Sequence, residues 1–177
     1  MPRRHLVLVG LPGAGKSSAG RLAAGLLGTG FTDIDEAIVL ETGQTIPELF
    51  ASRGEAGFRQ LERDRTGRAL AAAPHVVAPG GGWAAQPGNL EAAERAAFMV
   101  YLSVSPEVAA SRLEATRDRP LLKGDPLTRL DQLLRERERW YRLAGYEIPT
   151  DAMTPHRVAE ALVVLARQYG GWSESGA

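Results

Sequence analysis

Short apolar runs alternate along the chain with longer stretches whose apolar positions recur at helical spacing. His5–Val9 (HLVLV) is almost wholly apolar and predicts a buried strand. A glycine-rich turn follows, then a helix over about Lys16–Leu27. Phe31–Asp33 predicts a second short strand. Thr45–Ser52 and Glu55–Ala72 predict helices parted at Gly54, and His75–Ala78 predicts a third strand, stopped by Pro79 and three glycines. Phe98–Val104 (FMVYLSV) is the clearest buried strand. Ser105-Pro106-Glu107 then opens a helix with a cap, a proline at the first helical position and an early acid. Leu127–Leu143 predicts a long helix, Tyr146–Ile148 a last short strand and Pro155–Tyr169 a closing helix. Short strands separated by helices imply a parallel sheet covered on both faces, an α/β sandwich.

Composition narrows the chemistry. A chain of 177 residues suits one domain with a full core, expected over residues 1–170 with a flexible tail at 171–177. Acidic and basic residues balance at 21 each, so no global field points to nucleic acid or to an anionic membrane as partner. Cysteine is absent, which excludes disulfides, thiolate metal sites and cysteine nucleophiles. The apolar run before Gly10 is too short for a signal peptide or a membrane span, so a cytoplasmic location is expected. Lys16 and Lys123 are the only lysines, every other basic residue being arginine. A lysine at position 16 therefore suggests a need for a compact ammonium rather than a planar guanidinium.

Gly10-Leu11-Pro12-Gly13-Ala14-Gly15-Lys16-Ser17 satisfies G-x-x-x-x-G-K-[ST] at every defined position. Glycines let successive backbone N–H groups turn inward around a phosphate, and the following helix adds its positive dipole end. Lys16 reaches the outer phosphates as a point charge, and the Ser17 hydroxyl suits Mg²⁺, which uses few protein ligands. The motif sits between a buried strand and an amphipathic helix, the context it requires. It indicates nucleoside triphosphate binding and leaves the acceptor open.

Other features carry paired readings. Asp33 and Asp35 (Asp-Ile-Asp) close the second strand, at the strand end that faces the ligand crevice in such sheets. In an extended backbone both carboxylates share a face, one for Mg²⁺ and one to accept the proton of an attacking hydroxyl; alternatively Asp35 caps a helix beginning at Glu36. Arg59 precedes Glu62 by three residues, a spacing that also fits a solvent-facing ion pair. Gly80-Gly81-Gly82 is either an exit turn or a place where a ligand approaches the backbone closely. Thr116–Asp125 (TRDRPLLKGD) fits a mobile lid or an ordinary surface loop. Arg137 lies in an alternating Arg/Glu run that commonly marks a solvated helix face.

Taken together, Gly10–Ser17, Asp33-Ile-Asp35, Gly43-Gln-Thr-Ile46 leading to Phe50, Gly54-Glu55 with Phe58-Arg59 and Glu62, Gly80–Gly82, Arg119-Pro120-Leu121-Leu122, and Arg137 ahead of Tyr141 resemble shikimate kinases of the P-loop, nucleoside-monophosphate-kinase-like class. The resemblance runs from Leu6 to about Leu165. It implies a three-layer sandwich around a five-stranded parallel sheet of order 2-3-1-4-5, with a lid over about 113–125, and a monomer. It implies transfer of the ATP γ-phosphoryl group to the 3-hydroxyl of shikimate, with Mg²⁺ as cofactor, within aromatic amino acid biosynthesis. By the same resemblance Asp35 contacts the shikimate hydroxyls and serves as base, Arg59 and Arg137 grip the carboxylate, and Glu62 orients Arg59. Gly80, Gly81 and Gly82 offer backbone to the ring. Asp33 and Ser17 hold Mg²⁺ with the phosphates, which Gly13, Ala14, Gly15, Lys16, Ser17 and Ser18 surround. Arg119 closes over those phosphates from the lid, and Arg112 with Thr150–Pro155 flanks adenine.

Trp83 departs from the family pattern, which usually has a small residue after the triple glycine. Its indole either narrows the acceptor pocket, stacks on the ring or points into a helix interface. A narrowed pocket would favour another small hydroxy-acid, gluconate-like or quinate-like. A nucleotide-binding regulator without turnover is the reading from a different class.

Overall fold

The computed structural model describes residues 2–116 and 125–173. In chain order the elements are β1 (His5–Val9), α1 (Lys16–Leu27), β2 (Phe31–Asp33), α2 (Ile34–Thr42), α3 (Ile46–Leu70), β3 (Val76–Ala78), α4 (Asn89–Ala93), β4 (Ala97–Ser103), α5 (Pro106–Thr116), α6 (Pro126–Tyr141), β5 (Glu147–Pro149) and α7 (Pro155–Tyr169). Single 3₁₀ turns occupy Trp83–Ala85 and Arg142–Ala144. The strands form one parallel sheet in the order β2-β3-β1-β4-β5, as the family resemblance implies. All five residues of β1 are buried, the pattern of a central strand covered on both faces. Its neighbours β3 and β4 lie on opposite sides, so the strand order reverses at the carboxyl end of β1. Crevices in open parallel sheets form at such a reversal.

The helices follow local rules. Thr45 caps α3 in a capping box, its hydroxyl accepting from the Glu48 amide at 3.4 Å while the Glu48 carboxylate accepts from the Thr45 amide at 2.7 Å. Gly54, at φ 67° and ψ 178°, breaks α3 into two segments, where the sequence predicts the break. Helix α1 packs against α7, α2 against α3 and α5 against α6. No helix among the described residues is long and apolar enough to cross a membrane.

Two features differ from the sequence reading, and a third lies largely outside the described residues. Helix α2 begins at Ile34, directly after β2; with only Ile34 and Ile38 buried, its periodic signal is weak. Of the expected lid at 113–125, residues 113–116 belong to α5 and Asp125 caps α6, while 117–124, including Arg119 and Lys123, lie outside the described residues. The expected flexible tail is anchored at its start. Trp172 is 2% exposed, its indole N–H donates to the Arg4 carbonyl at 3.0 Å, and the Arg3 guanidinium lies 4.5 Å from its ring centre. A single indole buries more surface than several small polar neighbours expose, which outweighs the polar composition of the segment.

Trp172→Ala removes that anchor and is expected to cost roughly 3 kcal/mol, the range for truncating a buried aromatic residue. Equilibrium urea unfolding measures it; a loss below about 1 kcal/mol would show that the indole contributes little to the fold.

Candidate active site

The loop Gly10–Ser17 joins β1 to α1, with Leu11 and Ala14 buried as its apolar anchors. Gly13 sits at φ 82°, and a Cβ there would approach the Ala109 carbonyl oxygen to 2.7 Å, so both conformation and space demand glycine. Gly15 is the N-cap of α1 and supplies no side-chain bond to the first amides of the helix. That leaves a helix end suited to an anion. Lys16, 9% exposed, curls over the loop and donates to the carbonyl oxygens of Gly10 at 2.8 Å and Leu11 at 2.9 Å. Its ammonium is thereby fixed above the loop.

The backbone at the two aspartates differs from what the sequence suggests. Asp33, not Asp35, is the helix cap: its Oδ1 accepts from the Glu36 amide at 3.2 Å. Its Oδ2 accepts from the Ser17 hydroxyl. The chain turns helical at Ile34, so Asp35 lies in the first turn of α2 rather than on an extended strand. Both side chains nevertheless line one cavity of about 470 Å³ with the loop. The Ser17–Asp33 pair is an all-oxygen donor set of the hard kind that suits Mg²⁺ alongside phosphate and water ligands. Among the described residues no cluster of three or more His, Cys, Asp or Glu side chains is placed to hold a metal alone.

The far wall of this cavity comes from α5 and the segment after β5. Arg112 donates to the Gly13 carbonyl at 3.3 Å, to the Thr150 hydroxyl at 3.1 Å and to the Thr150 carbonyl at 2.6 Å, tying the loop to the end of β5. Met153, Pro155 and Val158 add apolar surface, and Ser18 lines the cavity from α1. Thr150, Met153 and Pro155 belong to the segment that the resemblance sets beside adenine, and Val158 is a lining residue outside it.

A second cavity of about 210 Å³ adjoins the first and shares Pro12, Asp35, Gly80, Gly81 and Leu113 with it. Arg59, Glu62, Gly82 and Arg137 line it, with Ile46, Phe50 and Phe58 as its apolar side. Phe50 and Phe58 stack at 4.5 Å, and the Arg59 guanidinium lies 5.4 Å from the Phe58 ring centre. Arg59 donates to the Glu62 carboxylate at 2.7 Å, while its Nε lies 3.7 Å from the exposed Glu55 carboxylate. Glu62 is fully buried, and burial pushes its carboxyl above the usual glutamate range, with the charge and hydrogen bond of Arg59 opposing and Arg137 opposing further. The Arg59–Glu62 spacing is thus an interior pair, not the solvent-facing alternative.

Gly80 and Gly82 make room for that pair, and Gly81 makes room for the phosphate loop. A Cβ at Gly80 would collide with the Glu62 carboxylate and crowd Asp35, one at Gly81 would approach Pro12 to 2.8 Å, and one at Gly82 would collide with the Arg59 guanidinium. None of the three adopts positive φ, so what they provide is room. Trp83, which follows them, is 2% exposed and lines neither cavity; it packs where the 3₁₀ turn meets α3, α4 and α6. Of the three placements open to the indole, the helix interface is the one adopted. Tyr141, noted in sequence only as a marker for Arg137, donates its hydroxyl to the Gly81 carbonyl. Arg119 lies outside the described residues.

A protein-family model described as shikimate kinase matches residues 12–166 of this chain. Among curated relatives, a shikimate kinase of Pseudomonas syringae pv. syringae (strain B728a) is 42% identical over 166 residues, covering 93% of this chain and 95% of its own. One from Sulfurihydrogenibium sp. (strain YO3AOP1) is 36% identical over 165 residues, covering 93% and 99%. Among solved structures, the shikimate kinase from Acinetobacter baumannii in complex with shikimate superposes with a TM-score of 0.88 at 34% identity, covering 94% of each chain.

Gly82→Ala places a methyl group in the Arg59 guanidinium, and overpacking of this kind costs about 1–3 kcal/mol. Arg59→Ala relieves the same collision, so the losses of the two substitutions are expected to be less than additive in a double-mutant cycle read by denaturant unfolding. Additive losses would show that the two groups do not meet.

Proposed function

The chain belongs to the shikimate kinase family, and from that premise we propose how its own residues divide the transfer of the ATP γ-phosphoryl group to the 3-hydroxyl of shikimate, a step of aromatic amino acid biosynthesis. The carrying observation is that two cavities meet at Asp35, Gly80 and Gly81, with a phosphate loop on one side and two arginines on the other. ATP occupies the larger cavity, its phosphates on Gly13–Ser18 and its adenine between Arg112 and the Met153–Pro155 segment. Shikimate occupies the smaller one. Arg59 and Arg137 take its carboxylate, since guanidinium forks match a carboxylate and stay charged at any working pH. Phe50 and Phe58 supply an apolar wall for the ring.

In the transfer, the 3-hydroxyl oxygen bonds to the γ-phosphorus as the bond to the β–γ bridging oxygen breaks, and ADP leaves with that electron pair. Asp35, shared by both cavities, receives the hydroxyl proton. Lys16 carries positive charge to the phosphates as charge shifts toward the leaving oxygen. Arg119 is assigned the same task on the family resemblance. Mg²⁺ fits the Ser17 and Asp33 oxygens and, when bound, neutralises phosphate charge there. The hydroxy-acid alternative rested on a pocket narrowed by Trp83, and that side chain lines neither cavity.

Coupled measurement of ADP release tests the assignment: release is expected to depend on shikimate. Asp35→Asn is expected to lose turnover by roughly 100-fold or more, the scale of a lost general base, while keeping nucleotide affinity. Lys16→Met is expected to weaken both. Wild-type turnover in Asp35→Asn would remove that residue as base.

A pH dependence follows from Glu62. Its raised pKa means that, as pH falls, it takes up a proton earlier than an ordinary glutamate and ceases to be an ionised partner for Arg59. The KM for shikimate is therefore expected to rise, by roughly 5–10-fold, as pH drops toward the ordinary glutamate value from above. In Glu62→Gln this limb should vanish, because no titrating group remains at that position. An unchanged acid limb in the variant would assign it to another group.

A further inference from the structure

Asn89 opens α4 but is not its cap; that position is Gly88, which offers the helix no side-chain bond. The Asn89 side chain is buried and spends both ends of its amide on other elements. Its Oδ1 accepts from the Arg63 Nε at 3.2 Å, and its Nδ2 donates to the Trp83 carbonyl at 2.9 Å. A guanidinium can only donate and a carbonyl can only accept, so the amide has one orientation. Trp83 in turn donates its own amide to the Gly80 carbonyl at 3.0 Å, closing the turn Gly80–Trp83. We propose that Asn89 is a positioning residue of the acceptor site, which ties the back of the glycine turn to α3 through Arg63.

The link matters because α3 reaches the turn from both sides. Arg59 lies against its cavity side, so close that a Cβ at Gly82 would collide with the guanidinium. Arg63, one helical turn further along, reaches its far side through Asn89. The gap between the Gly82 backbone and the Arg59 fork is thereby set in front by contact and behind by hydrogen bonds. Three consecutive glycines would otherwise leave that backbone free to sample many conformations. Burying an amide is unfavourable unless its groups are bonded, and a bond from a guanidinium is of the stronger, charge-assisted kind. A leucine would fill much the same space and lose both bonds. Gln86 adds only a long contact, its side-chain amide reaching the Gly82 carbonyl at 3.4 Å. Arg63 itself is exposed and lines neither the nucleotide cavity nor the acceptor cavity, so its route to the site runs through Asn89.

The assignment deepens the shikimate reading and rests on it. Wild type without shikimate-dependent ADP release sinks both, whereas an active wild type with unaltered variants sinks this one alone. Asn89→Leu and Arg63→Met are compared singly and together in steady-state kinetics and in amide hydrogen exchange read by mass spectrometry. In Asn89→Leu the KM for shikimate is expected to rise about fivefold, the scale of one lost hydrogen bond, while the KM for ATP stays within about twofold. Exchange is expected to quicken in the peptide spanning Gly80–Trp83 and to stay unchanged in the one spanning Gly13–Ser18. The double variant is expected to be no more than about twofold worse than the worse single one, because both substitutions break the same chain of bonds. Arg63→Met carries the test if Asn89→Leu does not fold: at an exposed position it removes the donor alone, and the KM for shikimate is expected to rise about threefold. An unaltered KM in Arg63→Met, unchanged exchange at the turn, equal rises in both KM values, or fully additive losses would each overturn the proposal, since the amide would then serve the fold at large or act apart from Arg63.

Discussion

A carboxylate taken wholly out of water must find compensating charge and hydrogen bonds, or it takes up a proton. Glu62 is such a group, and the acceptor side is arranged around it. Arg59 supplies the compensating charge at 2.7 Å, and that bond holds the guanidinium against the turn after β3. The turn can lie so close because it carries no side chains at Gly80 and Gly82. Helix α3 delivers the pair from its second segment, beyond the break at Gly54. Remove the break, the glycines or the carboxylate, and the arginine no longer has a defined place. The order of cause runs from backbone room to buried pair to a guanidinium with a fixed place on the smaller cavity.

The nucleotide side is built on another principle. Its contacts are short in sequence: Lys16 bonds carbonyls five and six residues back, and Gly15 caps the helix that Lys16 begins. Two longer links complete it, Ser17 with Asp33 and Arg112 with Thr150. The acceptor side has no such local unit. Its charged groups come from α3 and α6, far apart in sequence, and they meet across the glycine turn that follows β3. Asp35 stands where the two constructions touch.

That difference explains what the sequence reveals. Eight contiguous residues with defined glycines declare the phosphate loop, and alternating apolar runs declare the parallel sheet. Arg59 and Glu62 are visible as an i, i+3 pair, but the same spacing serves a solvated face, and only the tertiary contact with Gly80 and Gly82 makes the pair interior. Asp33 and Asp35 are visible as acids at a strand end. Which one caps α2 depends on the residue at which the chain turns helical, and Ile34, buried by packing, decides that. Tyr141 is legible as the residue one turn after Arg137; its bond to Gly81 spans too much sequence for any local pattern to show. Trp172 sits in a polar segment and is buried through its contact with Arg3 and Arg4 at the other terminus.

Trp83 shows how a bulky residue can sit beside a cavity-lining turn without entering the cavity. Its amide donates to the Gly80 carbonyl at 3.0 Å, which closes the turn and directs the next side chain away from the cavity. Its carbonyl accepts from the buried Asn89 amide group at 2.9 Å, and the Arg63 Nε donates to the Asn89 side-chain oxygen at 3.2 Å. The turn is therefore held from behind by Trp83, Asn89 and Arg63, and from the α6 side by Tyr141. A strip of three glycines is the most mobile backbone a chain can carry, since glycine has the most conformational freedom to lose. Held on both sides, it keeps its backbone in a fixed place along the cavity wall, with the indole adding weight to the anchor and taking no space from either cavity.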